Sequence, residues 1–201
     1  MSMLLPLLET IRLEDGTLQN LTRHRFRMGQ SLSFLGFSNH LAWSEDWVTV
    51  PKAYQTGVWK FRLLYASNDF QVEVERYQPR PISSLKLILA DHLDYAVKYA
   101  DRQEIKELFE KREEADDVLI VKNGLLTDTS YANIALYDGE SWYTPAQPLL
   151  KGTRRANLIA AGKILPRYIR VHDLQDYARI RLFNAMLDFE EGPELEISAI
   201  F

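Results

Sequence analysis

Asp117-Val118-Leu119-Ile120-Val121-Lys122-Asn123-Gly124-Leu125-Leu126-Thr127-Asp128-Thr129-Ser130 decides the fold of this chain. An apolar run reaches Asn-Gly, the pair that best tolerates the positive φ angles of a two-residue turn, and a second run follows at once. That is the strongest short-range signal for a β-hairpin. Asp138-Gly139 marks a second hairpin directly after it. Upstream, Leu85 to Leu89 reads as a strand, and Asp101 to Arg112 as a helix with Asp101 and Glu104 at capping-box spacing. Ile105, Leu108 and Phe109 fall on the inward face of that helix. Downstream, Thr153 to Ala161 is helical with Gly162 at its end, and Ile180–Phe183 and Leu195–Ile200 return to strand.

The first half has its own pattern. Residues 7–13 form a strand closed by Asp15-Gly16, and Thr22 to Leu35 a helix stopped by Gly36. Trp59, Phe61, Leu63 and Tyr65 alternate with polar residues, as do Phe70, Val72 and Val74. With Ser67-Asn68-Asp69 between them, the two runs predict an antiparallel hairpin with one buried face. Pro79-Arg80-Pro81 forces extended chain and is the best linker in the sequence. The expected architecture is α+β in two lobes. Residues 1–79 form a small N-terminal lobe, and residues 82–201 a larger, β-rich lobe.

Composition narrows the class. The chain has 201 residues, 46% of them hydrophobic and 26% charged, with a formal net charge of −4. It can bury a real core, and it has no general attraction for nucleic acid or anionic lipid. No apolar run approaches the length of a membrane span, and the start lacks the order of a signal peptide. Zero cysteines exclude disulfides and thiolate metal sites and fit a cytoplasmic location. His24, His40, His92 and His172 show no metal-ligand spacing, so no metal site is expected. No Gly-x-Gly-x-x-Gly, Walker or Gly-x-Ser-x-Gly element occurs.

Chemistry is carried by an ordered set of polar residues. Lys98 lies in Leu93-Asp94-Tyr95-Ala96-Val97-Lys98-Tyr99, Asp128 in the hairpin, and Gly152-Thr153-Arg154-Arg155 at the start of a helix. A lysine amine, an acid and a helix N-terminus behind a glycine are the parts needed to hold pyridoxal phosphate. The amine bonds to the cofactor aldehyde, the acid meets the pyridine nitrogen, and the helix start takes the phosphate.

In this order, and together with Leu21-x-x-His24-x-x-Arg27-Met28-x-x-Ser31, the chain resembles the class IV aminotransferase family of fold-type IV pyridoxal-phosphate enzymes. The resemblance runs from Glu9-Thr10-Ile11-Arg12 to about Met186 and is nearest to members like aminodeoxychorismate lyase, which share the Lys98-x-x-x-Arg102 spacing. It implies Lys98 as the catalytic, cofactor-bearing lysine of the larger lobe and Asp128 as the partner of the ring nitrogen. It implies that Arg27, Gly152, Thr153, Asn184 and Ala185 hold the phosphate. Two positions depart from the family pattern. Asp128 stands where Glu is usual and is one methylene shorter. In Gly152-Thr153-Arg154-Arg155, Thr153 takes the Ile place of Gly-Ile-Thr-Arg and Arg154 the Thr place. The chain also begins at the family's Glu-Thr-x-Arg, without the hairpin that usually precedes it and lines the substrate side.

The implied activity is conversion of 4-amino-4-deoxychorismate to 4-aminobenzoate and pyruvate, a step toward folate. The alternatives are a class IV aminotransferase acting on a branched-chain or D-amino acid, and a degenerate, non-catalytic relative. The resemblance further implies a small amino substrate, a homodimer to which Trp43 and Trp47 could contribute, and aminodeoxychorismate synthase as a partner.

Overall fold

The computed structural model describes residues 6–201. Contacts divide the chain into two units, Met1–Gln78 with Val97–Asp101, and Pro79–Ala96 with Arg102–Phe201.

The first unit is a four-stranded antiparallel sheet, β2-β1-β3-β4, built from β1 (Leu7–Glu14), β2 (Thr17–Leu18), β3 (Val58–Tyr65) and β4 (Phe70–Arg76). Helix α1 (Leu21–Phe34) and the short helix α2 (His40–Trp43) accompany it. The predicted hairpin forms with Tyr65 opposite Phe70 and Phe61 opposite Val74, so the alternating apolar residues share one face. Asp15 and Gly16 take positive φ, 45° and 76°, to turn β1 into β2. Leu7, Ile11 and Leu13 of β1, Phe61 and Leu63 of β3, and Met28 and Leu32 of α1 are fully buried together. Trp47 is also 1% exposed, its indole N–H donating to the Leu41 carbonyl at 2.8 Å. It is a core residue, whereas Trp43, at 53%, is exposed.

The second unit is built on a mixed sheet of eight strands, β10-β9-β8-β7-β6-β5, with β11 pairing β8 and β12. The strands are β5 (Leu85–Leu89), β6 (Asp117–Lys122), β7 (Leu125–Thr129), β8 (Asn133–Tyr137), β9 (Trp142–Pro145), β10 (Leu165–Arg167), β11 (Arg179–Phe183) and β12 (Glu194–Glu196). Helices α3 (Gln103–Glu110) and α4 (Thr153–Ala160) complete it. Asn123 and Gly124, with φ of 52° and 74°, make the turn between β6 and β7. Leu119, Val121, Ile134, Leu136, Ile180 and Leu182 form its core.

Three expectations need correction. Helix α3 starts at Gln103 behind Arg102, with no side-chain cap, so Asp101 and Glu104 form no capping box. Leu195–Ile200 is not one strand: β12 ends at Glu196 and a 3-10 turn, Ile197–Ala199, follows. Lys98 belongs to the first unit, not the larger second one. Its carbonyl accepts from the Leu8 amide at 3.0 Å, the Ala100 amide donates to the Pro6 carbonyl at 2.8 Å, and Tyr99 bridges to Leu7. These bonds tie residues 98–100 to β1, which outweighs their position after the linker. The short β10, parallel to β9, carries no readable sequence signal because all three of its residues are exposed.

Candidate active site

The expected site residues fall on both units, and each unit's share has its own geometry. In the first unit the centre is Glu9. Period two along β1 puts it on the same face as Leu7, Ile11 and Leu13, and it is 0% exposed. A lone buried carboxylate would cost several kcal/mol (about 3–5 when its partner is removed). Helix α1 supplies the partners. The Arg27 Nε donates to Glu9 Oε1 at 2.8 Å and its Nη2 to Oε2 at 2.5 Å, while His24 Nδ1 lies 2.6 Å from Oε2.

Burial works against ionisation of Glu9, but Arg27 and His24 together bring its pKa down to about 2. For His24, burial is the largest influence and lowers its pKa; Arg27 and Lys98 add to this, and Glu9 opposes it. His24 is therefore a neutral donor to an anionic Glu9 that Arg27 already balances. Ser31, one turn further along α1, bonds to Tyr65. The pattern His24, Arg27, Met28, Ser31 is thus the inward face of α1 at spacing i, i+3, i+4, i+7. Sequence reasoning singled out Arg27 and passed over Glu9, although an acid among Leu7, Ile11 and Leu13 on one strand face was a readable signal. Lys98 is half-buried in the same unit, and its charge acts on His24.

The second unit holds the acid and the helix start. The register of β6 and β7 shifts between Leu119↔Thr129 and Val121↔Leu126, so β7 carries one extra residue around Thr127-Asp128. The Thr127 hydroxyl closes this bulge on the Ile120 carbonyl at 2.7 Å. Bulges of this kind re-aim a side chain beside a site. Asp128 is 5% exposed; Asn133 Nδ2 donates to its Oδ1 at 2.8 Å and the Leu150 amide to its Oδ2 at 2.8 Å. Burial raises its pKa to about 6 against these bonds and the charge of Arg155.

Gly152 is the N-cap of α4 and brings no side-chain cap to it. Thr153 is buried, and Arg154, at the family's Thr place, pairs with Asp188 at 2.5 Å. Arg155 is buried, its Nη2 donating to the Pro145 carbonyl at 2.8 Å and so tying α4 to the end of β9. Asn184 follows β11 directly. Its Oδ1 accepts from the Met186 and Leu187 amides at 2.8 and 3.1 Å, shaping the loop that contains half-buried Ala185. Arg102 directs Nη2 to the Ser130 carbonyl at 2.5 Å, in the loop between Asp128 and Asn133. Arg80 lies between the Phe109 and Tyr131 rings and bonds Asp117 at 2.7 Å. A cavity of about 220 Å³ opens on the Thr127 side, lined by Asp94, Tyr95, Lys122, Gln147 and Leu149; none of the expected site residues lines it.

This donor set fits pyridoxal phosphate. A buried carboxyl balanced near pH 6 suits a pyridine nitrogen that must stay protonated, and the dipole at the start of α4 suits a phosphate. Comparison with known proteins decides the family: residues 6–189 match amino-transferase class IV. The chain belongs to that family. It is an enzyme of fold type IV, and its cofactor is pyridoxal 5'-phosphate.

An uncharacterized protein of Haemophilus influenzae is 34% identical over 183 residues, covering 90% of this chain and 97% of its own. The structure of a candidate 4-amino-4-deoxychorismate lyase from Haemophilus somnus is 32% identical with a TM-score of 0.79, covering 90% of this chain and 96% of that one. A fold IV transaminase of Curtobacterium pusillum, 18% identical, shares the fold at a TM-score of 0.75, over 94% of this chain and 78% of its own. Among the described residues no cluster of His, Asp and Glu could hold a metal ion, and no helix is long and apolar enough to cross a membrane.

Proposed function

We propose that this enzyme is a lyase that converts 4-amino-4-deoxychorismate to 4-aminobenzoate and pyruvate. The observation that carries this reading is the 32% identity to a candidate lyase matched over 96% of its chain. The Lys98-x-x-x-Arg102 spacing supports it, and Arg102 has a defined place, holding the Ser130 carbonyl on the loop that follows Asp128.

Bound pyridoxal phosphate supplies an electron sink for the carbon next to the substrate nitrogen. Lys98 would hold the cofactor through Nζ and, with its amine free, would take the proton from that carbon. Asp128 keeps a proton on the ring nitrogen. A carboxylate has about four acceptor positions, so the bonds from Asn133, the Leu150 amide and the Leu149 amide leave room for one further donor. Gly152-Thr153 and the Asn184-Ala185 loop would hold the phosphate, while Arg27, the other expected phosphate ligand, is engaged by Glu9 in the first unit. Elimination of pyruvate leaves the ring aromatic, and atoms balance without water or a second substrate.

The family name favours a second reading, amino transfer from a branched-chain or D-amino acid with the same residues. Incubation with aminodeoxychorismate and no keto acid separates the two: the lyase releases pyruvate and 4-aminobenzoate in equal amounts, whereas a transaminase needs an acceptor. Absence of pyruvate with full amino transfer to a keto acid would overturn the lyase reading. A protein that binds the cofactor and does neither would be the degenerate relative. We take the enzyme to be a cytoplasmic homodimer that receives its substrate from aminodeoxychorismate synthase. A stable, fully active monomer in light scattering would refute the dimer.

A further inference from the structure

We infer that Asn133 is a positioning residue that fixes Asp128 against the segment leading into α4. The inference rests on the reading of Asp128 as the acid that faces the ring nitrogen.

Three segments far apart in the sequence meet at this residue, two at its side chain and one at its backbone. On β7, Asp128 lies directly opposite Asn133 in the ladder and accepts from its Nδ2 at 2.8 Å. On the approach to α4, the Leu150 carbonyl accepts from the same Nδ2 at 2.9 Å, while the Leu150 amide donates to the other Asp128 oxygen. On the far side, Asn133 pairs with Phe183 of β11, the residue before Asn184. Asn133 is 6% exposed, and both protons of its amide are taken by these two acceptors. The orientation of the amide follows from its partners: reversed, its oxygen would face a carboxylate and a carbonyl with no proton between them.

The remaining atom explains Gly152. Asn133 Oδ1 would lie 1.9 Å from a Cβ built on Gly152, closer than any real contact. The φ of Gly152 is −63°, which any residue adopts. The glycine is therefore required by space and not by backbone conformation, and the neighbour that needs the space is Asn133. Gly152 and Asn133 act as one unit that locks the start of α4 to the carboxylate. With Asp in place of the longer Glu, a single bulged strand residue must present its carboxyl at the right place, and Asn133 and Leu150 hold it there from two sides. Arg155 of α4 is the charged group that acts on Asp128 from the elements packed against it, and it favours the ionised form.

The test begins without cofactor. The Asp128 carboxyl is followed by 13C NMR in the apoprotein and assigned by its loss in Asp128→Asn. Removing one hydrogen bond to a charged group in Asn133→Ala should raise the midpoint of its titration by about one to two units. Asn133→Ser, which keeps one donor, should raise it less. Gly152→Ala, which leaves Asn133 in the sequence but pushes it aside, should move it in the same direction. With pyridoxal phosphate added, Asn133→Ala should bind the cofactor with a shifted visible band and show about tenfold lower kcat with KM little changed.

A purely structural asparagine would lower the melting temperature and leave the Asp128 midpoint where it was, and that result overturns the inference. If Asn133→Ala does not fold, Asn133→Ser and Gly152→Ala decide it by the same midpoint. Wild-type protein that takes up no cofactor, while the variants still move Asp128, would remove the reading of the acid's role and leave the positioning intact. Cofactor bound normally with an unmoved midpoint would remove the positioning alone.

Discussion

Arg27 turns the Nε–Nη2 edge of its guanidinium to both oxygens of Glu9, so the arginine expected at the phosphate is the counter-ion of a fully buried carboxylate in its own unit. A fork-to-carboxylate pair of this kind is geometrically specific, and losing one member leaves the other charged and buried. Arg27→Ala should therefore destabilise the protein by about 3–5 kcal/mol in thermal or urea unfolding. Arg25 makes a good control. Its partner Glu45 is exposed and its guanidinium rests on Trp47, so Arg25→Ala should cost at most about 1 kcal/mol. Equal, small losses for both variants would mean that Glu9 is not held as the coordinates place it.

The same cluster sets a pH dependence. Glu9 has its pKa depressed from 4.5 to about 2, so its stabilisation is present above pH 4.5 and lost as pH falls toward 2. That loss amounts to roughly 3 kcal/mol. His24 is also depressed, from 6.5, because burial disfavours its charged form. Its unfolded form takes up a proton first, so stability starts to fall below pH 6.5 and stops falling below the folded pKa. From pH 7 to 5 the His24 contribution therefore slopes downward while that of Asp128 slopes upward, and His24→Asn should remove the downward part, leaving the variant more upward-sloping than the wild type. An unchanged slope in that variant would contradict a neutral buried histidine.

Asp128 works in the opposite sense. Its pKa is raised from 3.8 to about 6, so the folded apoprotein holds a proton that the unfolded chain gives up sooner. Folding then loses stability as pH rises from 3.8 through 6, by roughly 3 kcal/mol. Asp128→Asn should gain on the wild type across that window, after a constant offset from the donors of Leu150 and Asn133. In the loaded enzyme the same substitution should leave the cofactor bound while turnover falls, because the ring nitrogen loses the acid that protonates it. A constant stability difference from pH 4 to 7 would show that Asp128 is not desolvated.

Much of this arrangement is legible in the sequence. Asn123-Gly124 and the alternation in β3 and β4 fixed two hairpins because turn chemistry and period two are local properties. The order of Arg27, Lys98, Asp128 and Gly152 was legible for the same reason: each lies next to a strand or helix signal. What could not be read was pairing across distance. Glu9 and Arg27 stand 18 residues apart, and the tie of Lys98 to β1 spans 90. Lys98 follows the proline linker, so its sequence position suggested the larger lobe, and only the bonds to Pro6, Leu7 and Leu8 return it to the first. The bulge at Thr127-Asp128 is hidden because Leu125-Leu126-Thr127-Asp128-Thr129 has no period-two alternation for an extra residue to break.

Lys98 offers the sharpest test of the site. Its backbone is tied to β1, with the Leu8 amide on its own carbonyl and Tyr99 bridged to Leu7, so the side chain leaves a segment anchored on both sides of it. The amine is half-buried and near enough to His24 to lower that residue's pKa. Two consequences follow from one substitution. Borohydride treatment of the yellow holoenzyme should attach the reduced cofactor to the peptide containing Lys98, and Lys98→Ala should abolish both label and turnover. In the apoprotein, Lys98→Ala should raise the His24 midpoint by NMR, whereas Lys98→Arg, which keeps the charge, should leave it near the wild-type value while still taking no label. A label on a different lysine would displace Lys98 from the chemistry without touching the His24 result. A colourless protein that takes up no pyridoxal phosphate would remove the site itself, since neither the buried acid of the second unit nor the lysine of the first would then have its cofactor.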